Sequence, residues 1–84
     1  MKTEQIQVKK VYGEDRISSI GTTYTMLIIQ YTDENKRDQI KQTPIFTEQG
    51  KKIINQIEEY STFLVTSEKK GGYYEWTSLT NLSL

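Results

Sequence analysis

Cysteine and histidine are both missing from this chain of 84 residues. Without cysteine there is no disulfide, no thiolate nucleophile and no thiolate ligand for zinc. Without histidine there is no Ser-His-Asp or Cys-His arrangement and no imidazole metal site. Glycine is sparse, and its placement forms neither a Walker-type phosphate loop nor a dinucleotide fingerprint. Long apolar runs are also lacking. The longest, Met26-Leu27-Ile28-Ile29, is far too short to cross a bilayer. The stretch Met1-Lys2-Thr3-Glu4-Gln5 carries no apolar segment after its basic residue, so no secretory signal is expected. The simplest expectation is a cytoplasmic protein without membrane attachment. Neither sign of charge dominates: 11 basic and 11 acidic residues give a formal net charge of zero. That balance argues against a strongly basic coat and against a polybasic membrane anchor.

The length suits one domain, residues 1–84, with a compact core and modest stability. Charges come as doublets: Lys9-Lys10, Lys36-Arg37, Lys51-Lys52 and Lys69-Lys70 against Glu14-Asp15, Asp33-Glu34 and Glu58-Glu59. Doublets of this kind belong at turns and on solvated faces.

Hydrophobic periodicity then orders the chain. Residues 4–12 alternate, with Ile6, Val8 and Tyr12 on one face and Gln5, Gln7 and Lys9 on the other, which predicts a half-buried strand. The polar segment from Gly13 to Gly21 has a glycine at each end and predicts a long loop. Residues 22–32 are rich in β-branched and aromatic side chains and apolar on both faces at their middle, the pattern of a central strand. Within it Tyr24 shares a face with Met26 and Ile28, and Tyr31 shares the other with Leu27 and Ile29. One of the two tyrosines should therefore point outward. Asp33-Glu34-Asn35-Lys36 suits a hairpin turn. Residues 37–46 return as a polar strand, with Pro44 at its end or on an edge because proline lacks an N–H.

Thr47 is placed to cap a helix, with Glu48 and Gln49 in its first turn. Ile53, Ile54, Ile57 and Tyr60 follow at helical spacing, which predicts a helix over 48–60. Gly50 should weaken it slightly. Residues 62–67 are a second buried strand. Glu68-Lys69-Lys70-Gly71-Gly72 is a tight turn, since paired glycines adopt positive φ at little cost. Residues 73–82 make the last strand. There Trp76 shares a face with Tyr74, Ser78 and Thr80, whereas Tyr73, Glu75 and Leu79 share the other.

The predicted fold is mainly β with one helix, in the order β-β-β-α-β-β. That is the layout of a five-stranded OB-like barrel, in which closure removes exposed edges and the isoleucine stripe of the helix plugs one end. A sheet with one helix packed on a face satisfies the same pattern.

Chemistry has few places to reside. Asp33, Glu34 and Asp38 could hold a hard cation, but their spacing matches no calcium loop and a solvated hairpin explains them. Carboxylates alone can serve as acid and base, yet nothing in the pattern supports catalysis. No enzyme activity, metal or cofactor is expected. Aromatic and basic residues remain. Tyrosine outnumbers phenylalanine six to two. A phenol has a flat apolar face and a polar rim, so it tolerates a wet surface on which a nucleic-acid base can stack. Tyr24, Tyr31, Tyr73, Tyr74 and Trp76 are candidate platforms. Lys9, Lys10, Arg37, Lys41, Lys69 and Lys70 are candidate phosphate contacts. Phe46, Tyr60 and Phe63 are expected in the core, and Trp76 could sit inside or outside.

The segment Lys69-Lys70-Gly71-Gly72-Tyr73-Tyr74-Glu75-Trp76-Thr77-Ser78-Leu79 resembles the last hairpin of small phage-type single-stranded-DNA-binding proteins. There a glycine turn is followed by aromatic residues, a tryptophan, a short polar pair and an aliphatic. The resemblance implies an OB barrel that binds single-stranded DNA, or RNA, along its second and third strands and through two loops. Here those are residues 23–31 and 37–43, with loops 13–21 and 68–73. The same tyrosine surplus also suits a small phage-type interaction module or inhibitor that binds a host or defence protein, because tyrosine and tryptophan anchor protein interfaces as well. Assembly into a homo-oligomer is expected under either reading.

Overall fold

A computed structural model describes residues 1–83 of the chain. The elements run β1 (Lys2–Ile17), β2 (Thr23–Thr32), β3 (Asp38–Pro44), α1 (Glu48–Ile54), β4 (Thr62–Lys70) and β5 (Tyr73–Asn81). All strand pairs are antiparallel, in one five-stranded sheet ordered β3-β2-β1-β4-β5. Five strands and one helix thus stand in the expected order. Among the described residues no backbone pair joins β3 to β5, so both remain edges and the ladder does not close into a barrel.

The sheet nevertheless curls strongly. β2 and β5 are three strand spacings apart, about 14 Å if the sheet were flat. Yet the Tyr31 and Trp76 rings meet edge to face with centroids 5.4 Å apart. β3 and β5 are four spacings apart, and Lys41 Nζ still reaches the Tyr74 carbonyl at 2.8 Å. Ile6, Val8, Leu27, Ile29, Phe63, Val65, Trp76 and Leu79 fill the concave side, and Ile53 of α1 closes over them.

Two β-bulges decide which side chains reach that core. In β1, Val8 opposes Tyr31 but Lys10 opposes Gln30, leaving Lys9 unpaired. The extra residue inverts the alternation beyond it. Val11, rather than the expected Tyr12, therefore packs on the core, and Tyr12 faces out. In β5, Thr66 opposes Ser78 but Ser67 opposes Trp76, so Thr77 is the extra residue. Trp76 and Leu79, assigned to opposite faces by simple alternation, both point inward.

The predicted loop over 13–21 is mostly strand. β1 continues to Ile17, and the turn lies between Ser18 and Thr22, where Ser18 N–H reaches Thr22 O at 2.8 Å and Gly21 takes φ 85°. Beyond Glu14 and Met26 the hairpin is a two-stranded arm, apart from the Ile45 N–H that reaches Thr25 O at 2.9 Å. Both faces of such an arm are wet, so Glu14, Asp15 and Arg16 leave no buried stripe to mark it as strand.

The helix is shorter than the predicted 48–60. It starts as expected, with Thr47 Oγ1 accepting the Gly50 N–H at 3.0 Å. It ends at Ile54 because the following chain is drawn onto β1: Tyr60 N–H reaches Val8 O and Val8 N–H reaches Ser61 O, both at 2.9 Å. Tyr60 adopts φ 66° to make this turn and is 82% exposed, against the expectation of a core position. Glu59 Oε2 accepts the Val11 N–H at 2.8 Å, past the end of the β1–β4 ladder. Gly50 is required rather than merely tolerated. A Cβ there would collide with the Pro44 carbonyl oxygen and lie 2.8 Å from Ile45 Cα.

Candidate functional site

Side chains opposed across an antiparallel ladder share a face. On the convex side of β1, β2 and β3 this gives Lys10, Gln30 and Ile40 in one row and Tyr12, Ile28 and Gln42 in the next. Arg16 and Tyr24 form a further row towards the arm. Lys10 Nζ lies 5.4 Å from the Tyr12 ring centroid, a cation over an aromatic face. Ile40 is largely exposed, while Ile28 is buried under its neighbours.

The β4–β5 hairpin stands beside the β3 edge. Gly71, at φ 62°, allows the two-residue turn that follows Lys70 and precedes Tyr73. Tyr73 opposes Lys70, and Tyr74 opposes Lys69. Both tyrosines are exposed, at 61% and 52%. Together with Lys41, Gln42, Gln49 and Glu75 they line a groove between the two sheet edges. Glu68 and Glu75 oppose one another across the hairpin, and Lys70 Nζ offsets the first at 3.8 Å.

Beneath the groove lie Trp76 and Tyr31. Trp76 is 4% exposed and packs in the core, so its ring offers no face to solvent. Lys41 Nζ lies 5.6 Å from that ring's centroid. Burial lowers the Lys41 pKa below the ordinary lysine value, and the Glu75 carboxylate partly opposes this. Burial raises the Tyr31 phenol, with the Glu4 and Asp33 charges acting in the same direction.

The remaining candidates are more scattered. Lys9, the bulge residue, is tied to Asp38 at 2.6 Å and is not a free cation. Arg37 lies at the β2–β3 turn, where Asp33 organises the backbone. Asp33 Oδ1 accepts the N–H groups of Asn35 at 2.9 Å and Arg37 at 3.0 Å, and Oδ2 accepts from Gln39 at 3.1 Å. The Arg37 N–H bond is the main cause of a lowered Asp33 pKa. Asp33 and Asp38, considered above for a cation, thus hold a turn and a lysine.

Of the predicted residues, the fold brings Lys10 and Tyr24 onto the convex face and Lys41, Tyr73 and Tyr74 to the groove, whereas Lys69 and Lys70 stand on β4, across the hairpin from the two tyrosines and outside the groove lining. Tyr31 and Trp76 back the groove from within. Tyr12, Arg16, Gln30, Ile40 and Gln42 belong to the same surface and were missed. Tyr12 was missed because the Lys9 bulge carries no local signature. Ile40 and Gln42 could have been found from the outward parity of the third strand.

A second exposed feature sits at the arm. Ile20 is 86% and Phe46 61% exposed, the latter against the expectation of a core position. Tyr24 packs its ring against Phe46 at 6.0 Å, nearly perpendicular. With Pro44 these residues line a shallow apolar hollow.

No helix among the described residues is long and apolar enough to cross a membrane. Comparison with protein-family models, curated proteins and solved structures finds no match for this chain.

Proposed function

We propose that this chain is a small OB-like binding domain, its barrel sealed by side chains at the β3–β5 seam, that takes up single-stranded nucleic acid rather than catalysing a reaction. The observation that carries the reading is the convex surface. Lys10 over Tyr12 begins a strip of aromatic, amide and cationic groups that runs across β2 and β3 to Gln42, at the mouth of the groove that Tyr73 and Tyr74 line. Bases stack on exposed aromatic faces, amides such as Gln30 and Gln42 hydrogen-bond to base edges, and lysines meet phosphates. The strip contains few free cations, in keeping with the neutral charge, so affinity would rest on stacking more than on counterion release. DNA is the first choice of strand and RNA the second, in a cytoplasmic setting.

Fluorescence anisotropy of a dye-labelled oligothymidine, at low and at high salt, tests this. Binding at low salt that weakens as salt rises supports it. Absence of binding at low salt, or unchanged affinity after replacing both Tyr73 and Tyr74 with alanine, would rule it out. Each lost stacking platform should cost about 1–3 kcal/mol.

The exposed hollow around Ile20, Tyr24 and Phe46 favours a second reading, a protein-interaction module. Docking through that hollow would depend weakly on salt and would be abolished by Phe46→Ser with the Tyr73–Tyr74 hairpin intact.

A further inference from the structure

The β3–β5 seam lacks a backbone ladder, yet the outer edge of β5 is not left bare. Three side chains engage its main chain in sequence. Lys41 Nζ donates to Tyr74 O at 2.8 Å, Gln49 Oε1 accepts the Trp76 N–H at 2.6 Å, and Lys52 Nζ reaches Thr77 O at 3.5 Å. Gln49 also donates through Nε2 to Thr43 Oγ1 on β3, at 3.2 Å. Its side-chain amide therefore ties the main chain of β5 to a side-chain hydroxyl of β3 across a gap that no strand ladder fills. Directly behind these contacts lies the Trp76 ring, buried against Tyr31.

We propose that this side-chain latch is a built-in opening point: the β4–β5 hairpin parts from β3 and α1 at the seam and uncovers Trp76, while β1 and β2 stay folded. Individual side-chain hydrogen bonds break independently, whereas a ladder breaks cooperatively. The latch residues are carried on long side chains with freedom to rotate away. The hairpin is anchored along its other side by the β4–β1 ladder, which ends at Lys2↔Ser67. The segment beyond Ser67, with Gly71 and Gly72 at its tip, is held laterally by the latch.

Native-state hydrogen exchange followed residue by residue tests this on the intact chain, with acrylamide quenching of its single tryptophan as a second readout. Trp76 N–H should exchange through an opening that leaves Leu27 N–H protected. Gln49→Ala should speed Trp76 exchange roughly three- to tenfold, the equivalent of one hydrogen bond, without changing Leu27. Gln49→Glu keeps the oxygen acceptor and should leave Trp76 exchange close to the original rate. Lys41→Met keeps the apolar stem and should raise acrylamide quenching. The proposal is overturned if Trp76 and Leu27 exchange together at the rate of global unfolding. It is equally overturned if Gln49→Ala leaves Trp76 exchange unchanged, or if Gln49→Glu speeds it as much as alanine does.

Discussion

Tyr31 and Trp76 lie on strands separated by two others in the sheet, yet their rings touch edge to face at 5.4 Å with planes inclined at 64°. That contact reports the curl of the sheet directly. It also places the single tryptophan where its emission reports the core. Trp76→Ala should cost about 3–5 kcal/mol in denaturant unfolding, because a large ring leaves a cavity that the curled sheet cannot collapse. Trp76→Phe should cost clearly less. A loss below about 1 kcal/mol for the alanine variant would contradict the packing.

Gly50 makes the second prediction. Helix propensity favours alanine over glycine, so on local grounds Gly50→Ala should stabilise α1. The close approach of Pro44 O reverses the sign. Thermal unfolding should show Gly50→Ala destabilised by about 1–3 kcal/mol, the usual cost of forcing an added carbon into a packed position.

Acid should act at the β2–β3 turn. Asp33 has a folded pKa below its ordinary 3.8, through the Arg37 N–H first and Gln39 and Asn35 after it. Its contribution to stability is therefore present above that ordinary value and is lost as pH falls through the folded pKa. Asp33→Asn should flatten this part of the stability profile, measured by urea unfolding between neutral and acid pH.

Alkali should act at the seam, where Lys41 and Tyr31 pull in opposite senses. Lys41 has a folded pKa below 10.5, so the unfolded chain binds more protons between the two values. Stability from this group rises with pH across that window. Tyr31 has a folded pKa above 10.0, and its contribution falls once pH passes that value. The Lys41 effect should be small, because the ammonium is still partly in water, and Lys41→Met should remove it.

Surface and core aromatics should separate cleanly. Tyr73→Ala and Tyr74→Ala should each change unfolding free energy by less than about 1 kcal/mol, because both rings are more than half exposed. Oligothymidine affinity should drop in both. Trp76→Phe, whose ring is buried, should leave affinity almost unchanged.

The strands, their order and the turn chemistry were legible from the chain alone, because they depend on near neighbours. Thr22–Thr32 is rich in β-branched and aromatic residues, Asp33-Glu34-Asn35-Lys36 is a polar stretch fit for a hairpin turn, and Thr47 sits one residue before a helix start. The candidate site was legible in part. Its lysines and hairpin tyrosines could be named from residue type and the glycine turn. Tyr12 was lost to the core, and Phe46 and Tyr60 were placed there wrongly.

By itself, then, the sequence determined a mainly β domain of five strands with one capped helix and no cysteine or histidine chemistry. Tertiary structure alone decided three further things. The bulges at Lys9 and Thr77 set which faces of β1 and β5 are buried, and a bulge is defined by the partner strand rather than by its own residues. Helix α1 stops at Ile54 because the residues after it serve Val8 and Val11 on a distant strand. The seam is held by Lys41, Gln49 and Lys52 instead of a ladder. In each case the competing partner lies far along the chain, and local periodicity holds no record of it.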